Sequence, residues 1–174
     1  DLAQLGFETR ALGLRGNDEL GEFMEVLLER CGVDVSGLRS VTGVQTAATV
    51  LPIRPNGERP ALHCPGAYPG FSFDAEAARH LEGARFGHLG GPERFVDSRA
   101  LAAVASAAKQ QGSTVTLDVL ASDPSGGREA IDAVVPFVDI FCPNDDHLLA
   151  LHASGGQGPE DQRLRVAAEA ARRL

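Results

Sequence analysis

The sequence predicts an α/β fold built on parallel strands, and two observations predict it. From about residue 85 onward, short β-branched runs alternate with segments of helical period, in the order strand, helix, strand, helix, strand. Strands spaced in this way join through right-handed helical crossovers and run parallel. Polar and glycine-rich segments follow these strands: His88-Leu-Gly-Gly91, Asp118 to Ser122, and Pro143-Asn-Asp-Asp-His147. In parallel sheets ligands sit beyond the carboxyl ends of the strands. Function is therefore sought first in those three segments.

Each element has a local justification. Asp1 to Gly6 reads as the last turns of a helix closed by glycine. Thr9 to Leu14 is expected as a strand. Asn17 or Asp18 can cap a helix whose Leu20, Phe23, Met24, Leu27 and Leu28 share one face, and Gly32 ends it. Two strands, Thr46 to Ile53 and Arg59 to Cys64, flank Arg54-Pro-Asn-Gly-Glu58, where Asn56-Gly57 is a strong turn signal. This hairpin interrupts the α/β alternation, so residues 41–66 are assigned to a β flap or lid. Asp74 can cap a short helix to Leu81, and Arg85 to Leu89 is a strand. Asp97 or Ser98 opens a helix whose apolar stripe includes Leu101, Val104, Ala105 and Ala108, and Gly112 closes it. Thr114 to Leu120 is a strand with Val115, Leu117 and Val119 on one face. A helix over Glu129 to Val134 precedes the strand Phe137 to Cys142, and Pro143 breaks that strand. A helix starts near Asp145, and the loop Ser154 to Pro159 leads into a final helix that is still in full pattern at Leu174. Both ends read as lying inside helices, so the fold is expected to be incomplete at both ends.

Composition narrows the function classes. A net charge of −8 argues against a binder of phosphate backbones, so no nucleic-acid partner is expected. It leaves room for a small anionic ligand, because one helix N-terminus can bind a phosphate in an acidic protein. The apolar runs fall far short of the roughly 20 residues a membrane span needs, so no membrane partner is expected either. The three cysteines, Cys31, Cys64 and Cys142, are odd in number and far apart. They predict buried free thiols in a reducing cytoplasm rather than a disulfide framework or a zinc site.

Candidate site residues each carry two readings. Pro143 to His147 places an amide, two carboxylates and an imidazole just past a buried strand. Asn144, Asp145 and Asp146 suit the oxygen ligation of a hydrated Mg²⁺ in phosphoryl transfer. The same residues make a helix cap with an acidic first turn. A transition-metal site through His147 and His152 lacks a third ligand. Gly90-Gly91 allows a ligand or another backbone to come close, or simply makes a tight turn. There is no GxGxxG and no Walker A sequence, so a dinucleotide-binding or P-loop reading has no support. Asp118, near a strand's carboxyl end, is a site candidate or a hydrogen-bonded structural carboxylate. His63, which with Cys64-Pro-Gly-Ala67 closes the flap, either touches a substrate hydroxyl or lies on the surface of an edge strand.

Taken together, four pieces in order resemble the ribokinase-like (pfkB) family of carbohydrate kinases. Gly13-Leu-Arg-Gly-Asn-Asp-Glu-Leu-Gly21, a helix, and Gly32-Val-Asp-Val-Ser-Gly37 form the first. The second is Asn56-Gly-Glu-Arg59 leading to Pro65-Gly-Ala67. The third is His88 to Gly91, followed by Val115-Thr-Leu-Asp118. The fourth is Val138-Asp-Ile-Phe-Cys-Pro-Asn-Asp-Asp146. The resemblance runs over nearly the whole chain.

The resemblance implies a three-layer α/β/α fold with a small β lid, residues 1–174 forming a partial copy of the kinase domain. It implies transfer of the γ-phosphoryl of ATP to a hydroxyl of a sugar, with Mg²⁺. Asn144 and Asp118 would serve the nucleotide phosphates, and Asp145, Asp146 and His147 the metal. His63, Gly66, Ala67, Gly90 and Gly91 would face the sugar. A homodimer through the lid is the implied assembly. Two departures stand out. The family's catalytic base is an Asp in a Gly-Ala-Gly-Asp motif, which does not occur here. The family usually carries Glu three residues after the Asn, where this chain has His147. The alternatives are a nucleoside kinase and a non-catalytic sugar- or nucleotide-binding member of the same fold.

Overall fold

The computed structural model describes residues 1–97, 99–120 and 127–151, apart from the side chain of Asp145. Ser98 as a helix opener, Ser122, His152, the loop Ser154 to Pro159 and the final helix lie outside the described residues. The chain divides into two compact units, Asp1–Phe71 and Ser72–Leu174.

In the first unit, a 3-10 turn at Ala3–Leu5 closes at Gly6, whose φ is +90°. Strand β1 (Thr9–Gly16) then pairs in parallel with β2 (Val33–Val41), and helix α1 (Glu19–Arg30) is the crossover between them. Asp18, not Asn17, caps α1, its carboxylate accepting from Gly21 N at 2.9 Å. Strand β2 was not among the expected elements. Its signal is the alternation of Val33, Val35 and Gly37 with Asp34 and Ser36, and Val35 and Gly37 are the buried positions.

The apolar stripe of α1 does not behave as its period suggests. Leu20, Phe23 and Leu27 are 45%, 63% and 49% exposed, and Gly21 is the buried residue of the helix. The reason is close approach. A Cβ on Gly21 would fall 2.5 Å from Gly16 O and 2.7 Å from Thr46 Oγ1, so the helix meets the strand end through its smallest residue.

The hairpin exists but is shorter than expected. Strand β3 (Ala48–Val50) runs antiparallel to β4 (Leu62–Cys64), with Thr49 opposite His63 and Val50 opposite Leu62. Pro52 and Pro60 cannot donate to a ladder, which ends the strands early. The turn beyond is tied by Arg54 N to Glu58 O and Gly57 N to Arg54 O, both at 2.9 Å, with Gly57 at φ +85°.

In the second unit, Asp74 caps helix α2 (Ala75–Arg79) through Ala77 N at 2.9 Å. Strands β5 (Phe86–Gly90), β6 (Thr114–Asp118) and β7 (Ile140–Phe141) form a parallel sheet in that order. Helices α3 (Ala100–Gln110) and α4 (Arg128–Val134) supply the crossovers. The expected stripe on α3 is buried at Leu101, Val104, Ala105 and Ala108. Strand β7 is shorter than expected because a 3-10 turn at Val135–Phe137 precedes it. Its pairing to β6 is extended by Asp139 N to Val115 O (2.9 Å) and Cys142 N to Leu117 O (2.8 Å).

The core of this unit is mainly apolar. Val115, Leu117 and Val119 are 0–1% exposed, as are Ile131 and Val134. Leu151 and Ile131 close around Val119, with Val135 and Phe141 packed against them. The cysteines depart from expectation: Cys142 is exposed, and Cys31 and Cys64 are half-buried. Two sit where burial ends, Cys31 at the α1 cap and Cys142 just past β7. No helix among the described residues is long and apolar enough to cross a membrane.

Asp139 joins the end of α3 to the start of β6. It accepts from Lys109 Nζ at 2.7 and 2.9 Å and from Val115 N at 2.8 Å. These bonds, the Lys109 one foremost, hold its carboxyl below the usual 3.8. A depressed native pKa gives stability that is present above the unfolded value and lost as pH falls through the native one. Thermal melts should therefore drop as pH falls below about 4, and Asp139→Asn should flatten that drop. Truncating the core at Ile131→Ala should cost about 2–5 kcal/mol in urea unfolding, since the residue is fully buried.

Candidate functional site

The alternation along β6 decides what reaches the sheet's carboxyl end. Val115, Leu117 and Val119 point into the core, so Thr114, Thr116 and Asp118 belong to the other face. On that face His88 of β5 lies opposite Thr116, its Nδ1 at 2.9 Å from Thr116 Oγ1. Asp118 ends the strand, and its Oδ1 accepts from Val119 N at 2.8 Å.

A cavity of about 640 Å³ opens where β6 and β7 end. Asp118, Val119, Leu120, Cys142, Asn144, Asp146 and His147 line it. The structure thus brings together four of the sequence-predicted residues: Asp118, Asn144, Asp146 and His147. The side chain of Asp145 lies outside the described residues. Cys142 was missed as a lining residue. Its signal was available, since it is the last residue before the Pro143 that breaks the strand.

Asn144 is a helix cap, as one of its two readings held. Its Oδ1 accepts from His147 N at 2.8 Å, and its carbonyl accepts from Leu148 N at 3.1 Å, opening helix α5 (Asp145–Leu151). The cap spends the amide's oxygen on the backbone. His147 is 8% exposed, and its Nδ1 is buried with no hydrogen-bond partner among the described residues. Such a group costs free energy unless something bonds it. Asp146 stands exposed at the rim.

The donors fit one kind of cation better than another. No group of three or more His, Cys, Asp or Glu among the described residues is gathered to hold a metal ion. A tightly caged transition metal does not fit that arrangement. Mg²⁺ keeps several waters and takes one or two carboxylates plus phosphate oxygens. Asp118 and Asp146 beside Asn144 meet that lesser demand.

The loop after β5 is stitched to the end of β6 by one backbone bond and one bond to a side chain. Gly91, at φ +62°, donates to Asp118 O at 3.0 Å, and a Cβ there would fall 2.8 Å from Leu120 Cδ1. Leu120 N donates to Glu93 Oε1 at 2.9 Å. What comes close to Gly90 and Gly91 in this structure is therefore Leu120 of the same chain.

The remaining predicted residues lie in the first unit. His63 sits on β4, exposed, with Nδ1 at 2.8 Å from Thr49 Oγ1 and Nε2 at 3.3 Å from Tyr68 OH. Both ring nitrogens are engaged close by, one on the hairpin and one just past it. Gly66, at φ +56°, packs on the Gln45–Ala47 backbone, and Ala67 is 6% exposed.

Comparison with known proteins bears on the family and the fold. A family model described as pfkB family carbohydrate kinase matches residues 2–172. An adenosine kinase from Anopheles gambiae, in complex with P1,P4-di(adenosine-5) tetraphosphate, superposes with TM-score 0.78 at 22% identity, over 98% of this chain and 52% of its own. An Arabidopsis thaliana ribokinase complexed with ribose and ATP gives 0.73 at 23% identity, over 98% and 54%. An E. coli candidate ribokinase II in complex with ATP and Mg²⁺ gives 0.73 at 20% identity, over 97% and 56%. The chain spans about half the length of these structures. It has the ribokinase-like fold, and it belongs to the pfkB family of carbohydrate kinases.

The double duty of Asn144 can be separated. Asn144→Ala should cost about 1 kcal/mol of stability through the lost cap. Asn144→Ser should keep most of that stability, because serine caps as well, while removing the amide from the cavity. Urea unfolding of the two variants checks this.

Proposed function

We propose, with pfkB membership as the premise, that the protein transfers the γ-phosphoryl group of ATP to a hydroxyl of a sugar. The observation that carries this is the cavity at the ends of β6 and β7, where Asp118, Asn144, Asp146 and His147 converge. The sheet places polar groups where parallel strands present ligand sites. Phosphoryl transfer asks a protein chiefly for positioning and charge compensation. Asn144 and Asp118 would orient the nucleotide phosphates. Asp146, with Asp145 and His147, would hold waters of a hydrated Mg²⁺. When bound, that ion neutralises charge on the phosphates during transfer.

Gly90 and Gly91 are assigned to the acceptor, and His63 of the hairpin, with Gly66 and Ala67 just after it, to the lid. Residues 41–66 act as a lid that excludes water, so that ATP is not simply hydrolysed. The catalytic base, an Asp that takes the acceptor's proton, is supplied by sequence outside this chain. Half-length coverage of the related structures supports that assignment. Val50, Leu51, Ile53 and Leu62 are 53–74% exposed, which favours a homodimer formed through the hairpins. The location is cytoplasmic, in keeping with three cysteines that are all free.

Two observations keep other readings in view. His147, with its Nδ1 buried and without a hydrogen-bond partner among the described residues, favours a non-catalytic ligand-binding member of the fold. The likeness to an adenosine kinase favours a nucleoside acceptor.

Coupled ADP release from the full-length protein, with MgATP and a panel of sugars and nucleosides, tests the proposal. Turnover dependent on one sugar is the expected outcome. A nucleoside as sole acceptor would replace the substrate class. Sugar binding without turnover would leave the non-catalytic reading. In the active case, His147→Glu should lower the Mg²⁺ concentration needed for half-maximal rate.

A further inference from the structure

The Asp18 carboxylate does more than cap a helix. One bond, from Gly21 N at 2.9 Å, meets the cap's need. Asp18 also accepts from Thr46 Oγ1 at 2.5 Å and from Thr46 N at 2.8 Å, a residue 28 positions away. Thr46 Oγ1 in turn accepts from Gly16 N at 2.9 Å. Thr46 is 4% exposed, so its bond from Gly16 N forms away from water, where losing it is costly, while the two bonds to the half-exposed Asp18 are partly buried.

Thr46 stands two residues before β3, and Gly66 stands two residues after β4. A Cβ on Gly66 would run into Gln45 O and Ala47 N. The return foot of the hairpin therefore rests on the backbone of the outgoing foot. Both feet meet at Thr46, and Asp18 holds Thr46.

We propose that Asp18 is a positioning residue for the phosphoryl-transfer reaction, acting through Thr46 to fix the pose of the β3–β4 hairpin as a lid. The proposal rests on the lid assignment made above. Leverage gives it force. About six residues of extended chain, at about 3.3 Å each, carry the hairpin roughly 20 Å from root to tip. A tilt of about 10° at the root displaces the tip by about 3 Å, and misplacement of about 1 Å can cost a hundredfold in rate. Hydrogen bonds from Thr46, then from Gly21, together with the nearby Arg15 cation, hold the Asp18 carboxyl below its usual 3.8. It is therefore an anion at neutral pH, able to accept all three bonds.

The test uses Thr46→Val, Thr46→Ser and Asp18→Asn in the full-length protein. Hydrogen exchange of residues 48–64 and the separate KM values for acceptor and ATP are read. Thr46→Val and Asp18→Asn should raise hairpin exchange about tenfold, the loss expected for a buried bond, with exchange in β5, β6 and β7 unchanged. Acceptor KM should rise about as much while ATP KM holds, and Thr46→Ser should restore both. Unchanged hairpin exchange would overturn the proposal, as would a rise spread evenly over the whole chain. Raised hairpin exchange with acceptor KM unmoved would uphold the anchoring of the hairpin and overturn the lid assignment instead.

Discussion

The register of β6 is the constraint on which the candidate site depends. Val115, Leu117 and Val119 are each 0–1% exposed, and the strand has no slack on that face. Side chains alternate with a period of two, so a one-residue slip would drive Asp118 into the core and lift Leu117 out of it. Burying an unpaired carboxylate there would cost several kcal/mol. The apolar face thus fixes where the polar group ends up. Asp139 reinforces the register from the other end, bonding Val115 N and Lys109 together. The two neighbouring strands then finish at the same level, and β7 hands the chain to Cys142, Asn144 and His147 at the cavity edge.

The first unit is organised on a different principle, backbone against backbone. Gly16, Gly21 and Gly66 each sit where a Cβ would collide with main-chain atoms or with Thr46. Glycine at these places is a requirement of space rather than of flexibility, since Gly16 and Gly21 carry no positive φ. The Asp18 carboxylate lies at the middle of this cluster. The sequence motif from Gly13 to Gly21 is therefore, in this chain, the description of a packing arrangement.

Legibility in the sequence followed how local each signal was. The β6 alternation, the α3 stripe, the Asp74 cap and the Asn56-Gly57 turn depend on residues within a turn or two of one another, and each appears in the structure. The α1 stripe misled because period reports which residues share a face, not whether anything covers it. Strand β2 went unread because its glycine and serine dilute a plain two-residue alternation. At the site, strand ends pointed to Asp118 and to the segment after Pro143. The cap reading of that segment anticipated the bond from His147 N to Asn144 Oδ1, but nothing there announced that His147 Nδ1 would be buried without a hydrogen-bond partner among the described residues. The bond between Asp18 and Thr46 was invisible, because nothing in either residue announces a partner so far along the chain.

The prolines at 52 and 60 carry a consequence for association. A hairpin that shows Val50, Leu51, Ile53 and Leu62 to solvent is the kind of edge on which further strands can template without limit. Here the ladder is three residues long, from Ala48–Val50 to Leu62–Cys64, and at its tip end each strand is bounded, two residues away, by a proline with no N–H to offer. Such an edge can accept one short closing partner but cannot propagate a stack.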